Sequence, residues 1–285
     1  MSIILSSVII KSVFNRISNN NKLSKNSLST GIENLDIIMG GWENEFSLFC
    51  SRPGMGKTTF LLNQVYQIMQ TIKAKETILY VTTKESPTVI IQRLLAIATQ
   101  IELSTIQKGE LTPSELKALS VHPIMKQLEA NNLVLFENNS PTAYQIRSKV
   151  FNLVKTGNIP KMIFIDQGRG HKLKELILDL KLISKEYQIP ILFSMPLGRS
   201  VEYRESKFPQ LNDLESEVVR EVDKIIFITR PDYYEIIEHD NIQSGLIHLI
   251  VAKNNGPIDI LKLKLNRRTL TITDNTDIKS SIKDK

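Results

Sequence analysis

Residues 51–60 read Ser51-Arg52-Pro53-Gly54-Met55-Gly56-Lys57-Thr58-Thr59-Phe60, and they follow the apolar run FSLFC (46–50) directly. A glycine-containing turn between a strand and a helix can aim successive backbone N–H groups at one phosphate, to which the helix N-terminus adds partial positive charge. A lysine then bridges phosphate oxygens and the hydroxyl after it ligates Mg²⁺. On this reading Arg52, Pro53, Gly54, Met55, Gly56, Lys57, Thr58 and Thr59 form the nucleotide-binding loop, with Lys57 on the phosphates and Thr58 on the metal. The glycine usual six positions before the lysine is Ser51 here, so the loop matches in its GKT core and departs at its first position.

Outward from this loop, short β-branched or aromatic runs alternate with helical patterns: TILYVT (77–82), LVLFE (133–137), KMIFID (161–166), PILFSM (190–195) and KIIFIT (224–229). That alternation predicts an α/β fold with a mostly parallel sheet covered by helices on both faces. The segment 172–187 puts Leu173, Leu176, Ile177, Leu180, Ile183 and Tyr187 on one helical face before Pro190 opens a strand. HLIVAK and PIDILKLKL flank an Asn-Asn-Gly turn and predict an antiparallel hairpin at the end of the sheet. Asp166 ends an apolar run, where phosphate-loop proteins place the acid of the metal's water shell; a strand-end Asp can equally cap the following turn.

Three segments follow from these patterns: 1–28, an amphipathic helix and polar linker; 29–273, the nucleotide-binding domain; and 274–285, a disordered tail. In the first, Ile10, Val13, Phe14 and Ile17 share a stripe that suits docking on a neighbouring subunit, with packing on its own domain or a frayed terminus as the alternatives. The chain has 285 residues, 36 Lys plus Arg against 30 Asp plus Glu, and 41% hydrophobic residues, the balance of an ordinary globular protein. The single Cys50 excludes a disulfide framework, no run is long enough to span a membrane, and the start lacks a secretory signal, so a cytoplasmic location is expected. His122, His171, His239 and His248 lack metal-ligand spacing.

From Ser29 to about Ile272 the chain resembles the C-terminal motor domain of DnaB-type replicative helicases. The resemblance rests on STGIENLDIIMGG, SRPGMGKTTF, ESPTVIIQRLLA, QKGELTPSELKAL, FIDQ, the run from Ile189 to Tyr234, and IVAKNNGP, in that order. It implies a RecA-like P-loop NTPase fold, ATP and Mg²⁺ bound between subunits of a homo-oligomeric, hexameric ring, single-stranded DNA in the channel, and hydrolysis-driven unwinding in DNA replication or a related transaction. Lys57 and Glu85 are the catalytic candidates, Thr58 and Asp166 the metal ligands, and Lys253 the cation that reaches a neighbour's nucleotide. Arg199, Arg204 and Lys207, in the segment 198–208, are the candidate DNA contacts, against the alternative of a solvated charged loop.

The departures from the family pattern fall on the chemistry. Lys84 stands where the family carries its water-positioning glutamate, and Glu85 follows one residue later; a catalytic role for Glu85 requires the turn before Pro87 to redirect it, and a solvated strand end is the alternative. The family's sensing glutamine aligns with Pro196, which has no side-chain hydrogen-bonding group. The hairpin keeps Lys253 but lacks the arginine usual two residues on; an arginine supplied from outside a site contributes about 10³–10⁵ in rate in other P-loop enzymes. The loop QGRGHK after Asp166 is short and reads as a plain turn, though Arg169, His171 and Lys172 keep it basic. These departures motivate a second reading, a nucleotide-binding ring or adaptor subunit with impaired hydrolysis. With some 28 residues ahead of the motor, no primase-contacting N-terminal domain is expected.

Overall fold

A computed structural model describes residues 27–166, 173–234 and 245–274. The amphipathic stripe of segment 1–28, the basic loop after Asp166 and the tail from 275 onward lie outside these residues.

Nine strands form one sheet in the order β3-β2-β4-β5-β1-β6-β7-β8-β9. The parallel strands are β1 (Phe46–Ser51), β2 (Glu76–Thr82), β3 (Leu133–Glu137), β4 (Ile159–Asp166), β5 (Ile191–Pro196) and β6 (Lys224–Thr229); β7 (Leu246–Lys253), β8 (Asp259–Leu265) and β9 (Ile272–Asp274) extend the sheet in antiparallel fashion. Every strand read from the sequence is present to within two residues at either end, and so is the hairpin. The strand β9 carries no signal of its own in three residues and exists by pairing Ile272 to Leu265 and Asp274 to Leu263.

The continuous apolar runs follow from burial on both faces. Along β1, Leu48 and Cys50 enter one core and Phe49 the other; along β2, Ile78 and Tyr80 alternate with Leu79 and Val81 in the same way. The first core is roofed by α1 (Glu33–Met39), α2 (Lys57–Met69) and α3 (Pro87–Thr99), which deliver Leu35, Phe60, Val65, Ile90, Leu94 and Ile97. The short helices α4 (Leu103–Lys108), α5 (Pro113–Val121) and α6 (Pro123–Glu129) lead from α3 to β3. Thr112 and Glu115 close a reciprocal cap on α5, and Pro113 fills its first turn, where a missing N–H costs nothing.

The second core is covered by α7 (Ala143–Lys155), α8 (Leu173–Tyr187) and α10 (Ser216–Glu221), with the one-turn α9 (Ser200–Tyr203) beside it. The six positions read as one face of α8 all pack into this core. Lys224, fully buried at the start of β6, donates to the carbonyl oxygens of Met39 and Gly41 and pairs with Glu45, so it satisfies the end of α1.

Strands β1, β2, β4 and β5 all point their carboxyl ends at one edge, and β1 and β2 are separated by β4 and β5. A crevice opens where consecutive strands diverge in this way, and ligands of open α/β sheets bind there.

Gly245 fixes how the start of β7 meets the end of β8. It has φ +95, its carbonyl accepts from the N–H of Leu265, and an added Cβ would lie 2.3 Å from the Leu265 carbonyl oxygen. Gly245→Ala is expected to cost about 2 kcal/mol or more. Gly109→Ala, at φ +71 with nothing within 4 Å of the added carbon, is expected to cost about 1 kcal/mol. Urea unfolding midpoints of the two variants, compared with the parent chain, measure the difference.

Candidate nucleotide site

The residues read as a phosphate loop run from the end of β1 into the first turn of α2. Gly54 and Gly56 have φ +81 and +98, a region open to glycine at little cost, and Gly56 begins α2 without any side-chain cap. The leading N–H groups of α2 are therefore left for a ligand. Lys57 folds back along the loop, donating from Nζ to Ser51 O at 3.2 Å, Ser51 Oγ at 3.0 Å and Arg52 O at 3.3 Å. The Ser51 hydroxyl in turn donates to Arg52 O at 2.7 Å. The residue standing in for the usual first glycine thus supplies two of the oxygens that hold the lysine. Burial pushes Lys57 down to about 8, with repulsion from Lys84 and Arg52 adding to it and Asp166 opposing it.

Asp166, at the tip of β4, is the hub of the site. Its Oδ2 accepts from Thr58 Oγ1 at 2.6 Å and from the Tyr80 hydroxyl at 3.3 Å; its Oδ1 accepts from Ser194 Oγ at 2.8 Å. Its carbonyl takes Thr83 through both N–H and hydroxyl. A hydroxyl and a carboxylate side by side are the donor set of a hard dication that keeps most of its water. Among the described residues no cluster of three or more His, Cys, Asp or Glu competes with that assignment.

Beyond the loop lies a cavity of about 300 Å³, lined by Gly54 to Thr59 without Met55, and by Pro53, Lys84, Glu85, Arg93 and Asp166. Both candidates at the end of β2 reach it. Thr82 Oγ1 donates to Glu85 O at 2.8 Å and accepts from Glu85 N at 3.3 Å, a tight turn that brings Lys84 and Glu85 to the cavity before Pro87 opens α3. Glu85 does not meet the cavity bare: Arg93 Nη2 lies 2.8 Å from its Oε1. The pair is satisfied on one side, since Glu85 Oε2 and Arg93 Nε are buried without a hydrogen-bond partner among the described residues. Burial pushes Glu85 above the usual carboxylate range; Arg93 opposes this, Asp166 adds to it, and Lys84 opposes it. With Lys57, Lys84 and Arg93 set against Glu85 and Asp166, the cavity favours a polyanion over a neutral ligand.

The other candidates lie elsewhere. Arg52 turns away from the cavity, donating to Leu197 O at 2.8 Å and pairing with Glu202 at 2.8 Å, so it ties the phosphate loop to the segment 198–208. Within that segment Arg204 pairs with Asp213, Lys207 donates to Glu202 O at 2.6 Å, and Arg199 is exposed. Lys253 donates to the carbonyl oxygens of Val219 and Val222, both at 2.6 Å, capping α10. Pro196 pairs with Ser51 at the end of β5. Cys50 is buried, and burial pushes its thiol well up.

Sequence reasoning gave no role to Arg93, Ser194, Tyr80 or Arg230. The last donates to Gly54 O at 3.2 Å and is held by Asp232, which also accepts from Gly245 N at 3.2 Å and pairs with Arg267. An arginine inside the apolar stripe Ile90, Leu94, Ile97 is the signal that was available for Arg93.

The family description "DnaB-like helicase C terminal domain" matches residues 27–274. A probable replicative DNA helicase of Trieres chinensis is 29% identical over 255 residues, covering 84% of this chain and 55% of that protein. The replicative DNA helicase DnaB of Geobacillus stearothermophilus is 27% identical over 252 residues, covering 83% of this chain and 54% of that protein. The chain spans about half the length of the curated relatives it matches. The solved ATPase domain of G40P shares its fold with a TM-score of 0.82 at 20% identity, over 96% of this chain and 99% of that one. Among the described residues no helix is long and apolar enough to cross a membrane.

The brace behind Gly54 can be tested by pH. Burial would raise Asp232, but Arg230, the Gly245 N–H and Arg267 together hold its carboxyl below the usual range. A carboxylate depressed in the folded state adds stability above its unfolded pKa and loses it as pH falls through the folded one. Asp232→Asn is therefore expected to lower stability by about 1–3 kcal/mol at pH 7. The gap to the parent chain is expected to narrow as urea unfolding is repeated from pH 5 down to pH 3.

Proposed function

The chain belongs to the DnaB-like helicase C-terminal domain family, and we propose that it is an ATP-dependent motor subunit that moves on single-stranded DNA and separates duplex. In this reading its copies assemble as a ring, hexameric as the family resemblance implies, and act in DNA replication or a related DNA transaction. The observation that carries it is the Thr58 Oγ1 to Asp166 Oδ2 contact of 2.6 Å beside Lys57, at the mouth of a cavity of about 300 Å³.

Each residue has a distinct task. The uncapped start of α2, with the backbone of residues 52–59, receives the β-phosphate, and Lys57 exchanges its hold on Ser51 and Arg52 for phosphate oxygens. Thr58 and Asp166 would hold Mg²⁺, which when bound neutralises phosphate charge and orients the terminal phosphoryl group. Glu85, turned toward the cavity, accepts the proton of the attacking water. Lys253 is assigned to the nucleotide of an adjacent copy, which requires it to leave the carbonyls of Val219 and Val222. Exposed Arg199 meets the DNA backbone, and Arg204 and Lys207 join it by releasing Asp213 and the Glu202 carbonyl.

One observation favours the second reading, a ring or adaptor subunit that holds nucleotide without turning it over. Glu85 is already occupied by Arg93, and Lys84 adds a cation where the family has an acid. The two readings part in one experiment. Titration of the purified chain with Mg·ATP is expected to show binding that Lys57→Ala weakens at least about tenfold. The motor reading further expects ATP turnover stimulated by single-stranded DNA and unwinding of a forked duplex; binding and assembly without turnover decides for the holding role.

A further inference from the structure

Arg93 lies in the second turn of α3, flanked by the buried side chains of Ile90, Leu94 and Ile97, and points along the cavity wall to Glu85. A guanidinium is a planar fork of five donors suited to two oxygens at once. Here it meets a single carboxylate oxygen at 2.8 Å, while its own Nε and the other oxygen, Glu85 Oε2, are buried without a partner among the described residues. Both side chains are one-quarter exposed, both line the cavity shared by Lys57, Thr58 and Asp166, and the ion pair closes across its wall. A half-buried pair satisfied on one side, with its remaining polar atoms buried, is poorly repaid for its lost hydration, so it yields readily to a better ligand for either partner.

We propose that Arg93 is an exchangeable latch: without nucleotide it holds Glu85, and the terminal phosphoryl group of a bound triphosphate takes the guanidinium and releases the carboxylate. This rests on the ATPase reading of the same cavity and supplies from within the chain the cation that its hairpin lacks after Lys253. The step it licenses balances. Water oxygen bonds to the γ-phosphorus as the bond from that phosphorus to the β–γ bridging oxygen breaks; the electron pair leaves with the diphosphate, and Glu85 takes the water's proton and passes it to the phosphate released. A diphosphate presents no γ-phosphoryl group and leaves the latch closed. The acid of this chain stands at position 85, within reach of Arg93.

The test compares affinities for a nonhydrolysable ATP analogue and for ADP, both with Mg²⁺, in the full chain. Arg93→Ala is expected to weaken the analogue about tenfold or more and to leave ADP within about twofold. Glu85→Gln removes the competitor without removing the guanidinium; it is expected to tighten the analogue several-fold, leave ADP unchanged and abolish turnover. Arg93→Lys, a point charge without the fork, is expected to recover part of the analogue affinity. A merely structural pair moves both ligands together. An analogue-to-ADP ratio equal to that of the parent chain in both Arg93→Ala and Glu85→Gln overturns the latch and leaves the ATPase reading standing. A parent chain that binds neither ligand overturns both.

Discussion

The carboxylate of Asp166 is where three elements of the fold meet. Thr58 comes from the first turn of α2, Tyr80 from β2 and Ser194 from β5, and each gives it a hydroxyl proton, while Thr83 holds its backbone. Without these donors a carboxylate at the tip of a buried strand would be costly to desolvate. With them it ties the turn after β1 to the carboxyl ends of β2 and β5, which line up around the cavity. Tyr80 is pushed well above the ordinary phenol range by burial and by Asp166, so it stays a donor.

The departures from the family pattern around Asp166 are each taken up by a local contact. Ser51 replaces a glycine, yet its hydroxyl is turned to use by Lys57. Lys84 replaces an acid, yet the Thr82 to Glu85 turn brings the next residue to the cavity. The chain keeps the Gly-Lys-Thr turn and sets a different group of charges around it.

Much of the architecture was legible because it rests on short-range pattern. Strands buried on both faces read as unbroken apolar runs, and the α8 face read by its spacing. The glycine turn after β1 and Asp166 at the tip of β4 were placed from sequence because both sit at the ends of readable strands, and the structure brings them together through Thr58. What escaped depends on pairs distant in sequence. Nothing near Arg52 indicates that its partner is Glu202, nor near Lys253 that α10 ends beneath it. Gln64 buried against the Trp42 indole, and Lys224 at the end of α1, are polar residues that only tertiary contact explains. Glu85 lay between: alternation along a strand predicts the wrong face, and only the turn before Pro87 reverses it.

The parked posture of Lys57 sets a threshold for what can enter. Its ammonium already has three oxygen neighbours, and any incoming anion must replace them. A small anion with one or two oxygens trades like for like and gains little. On the nucleotide reading, a chain of phosphates would engage the lysine, the uncapped amides of α2 and the Arg93 fork together. On that reading, selectivity at this turn would come from the number of groups a visitor engages at once and less from its charge alone.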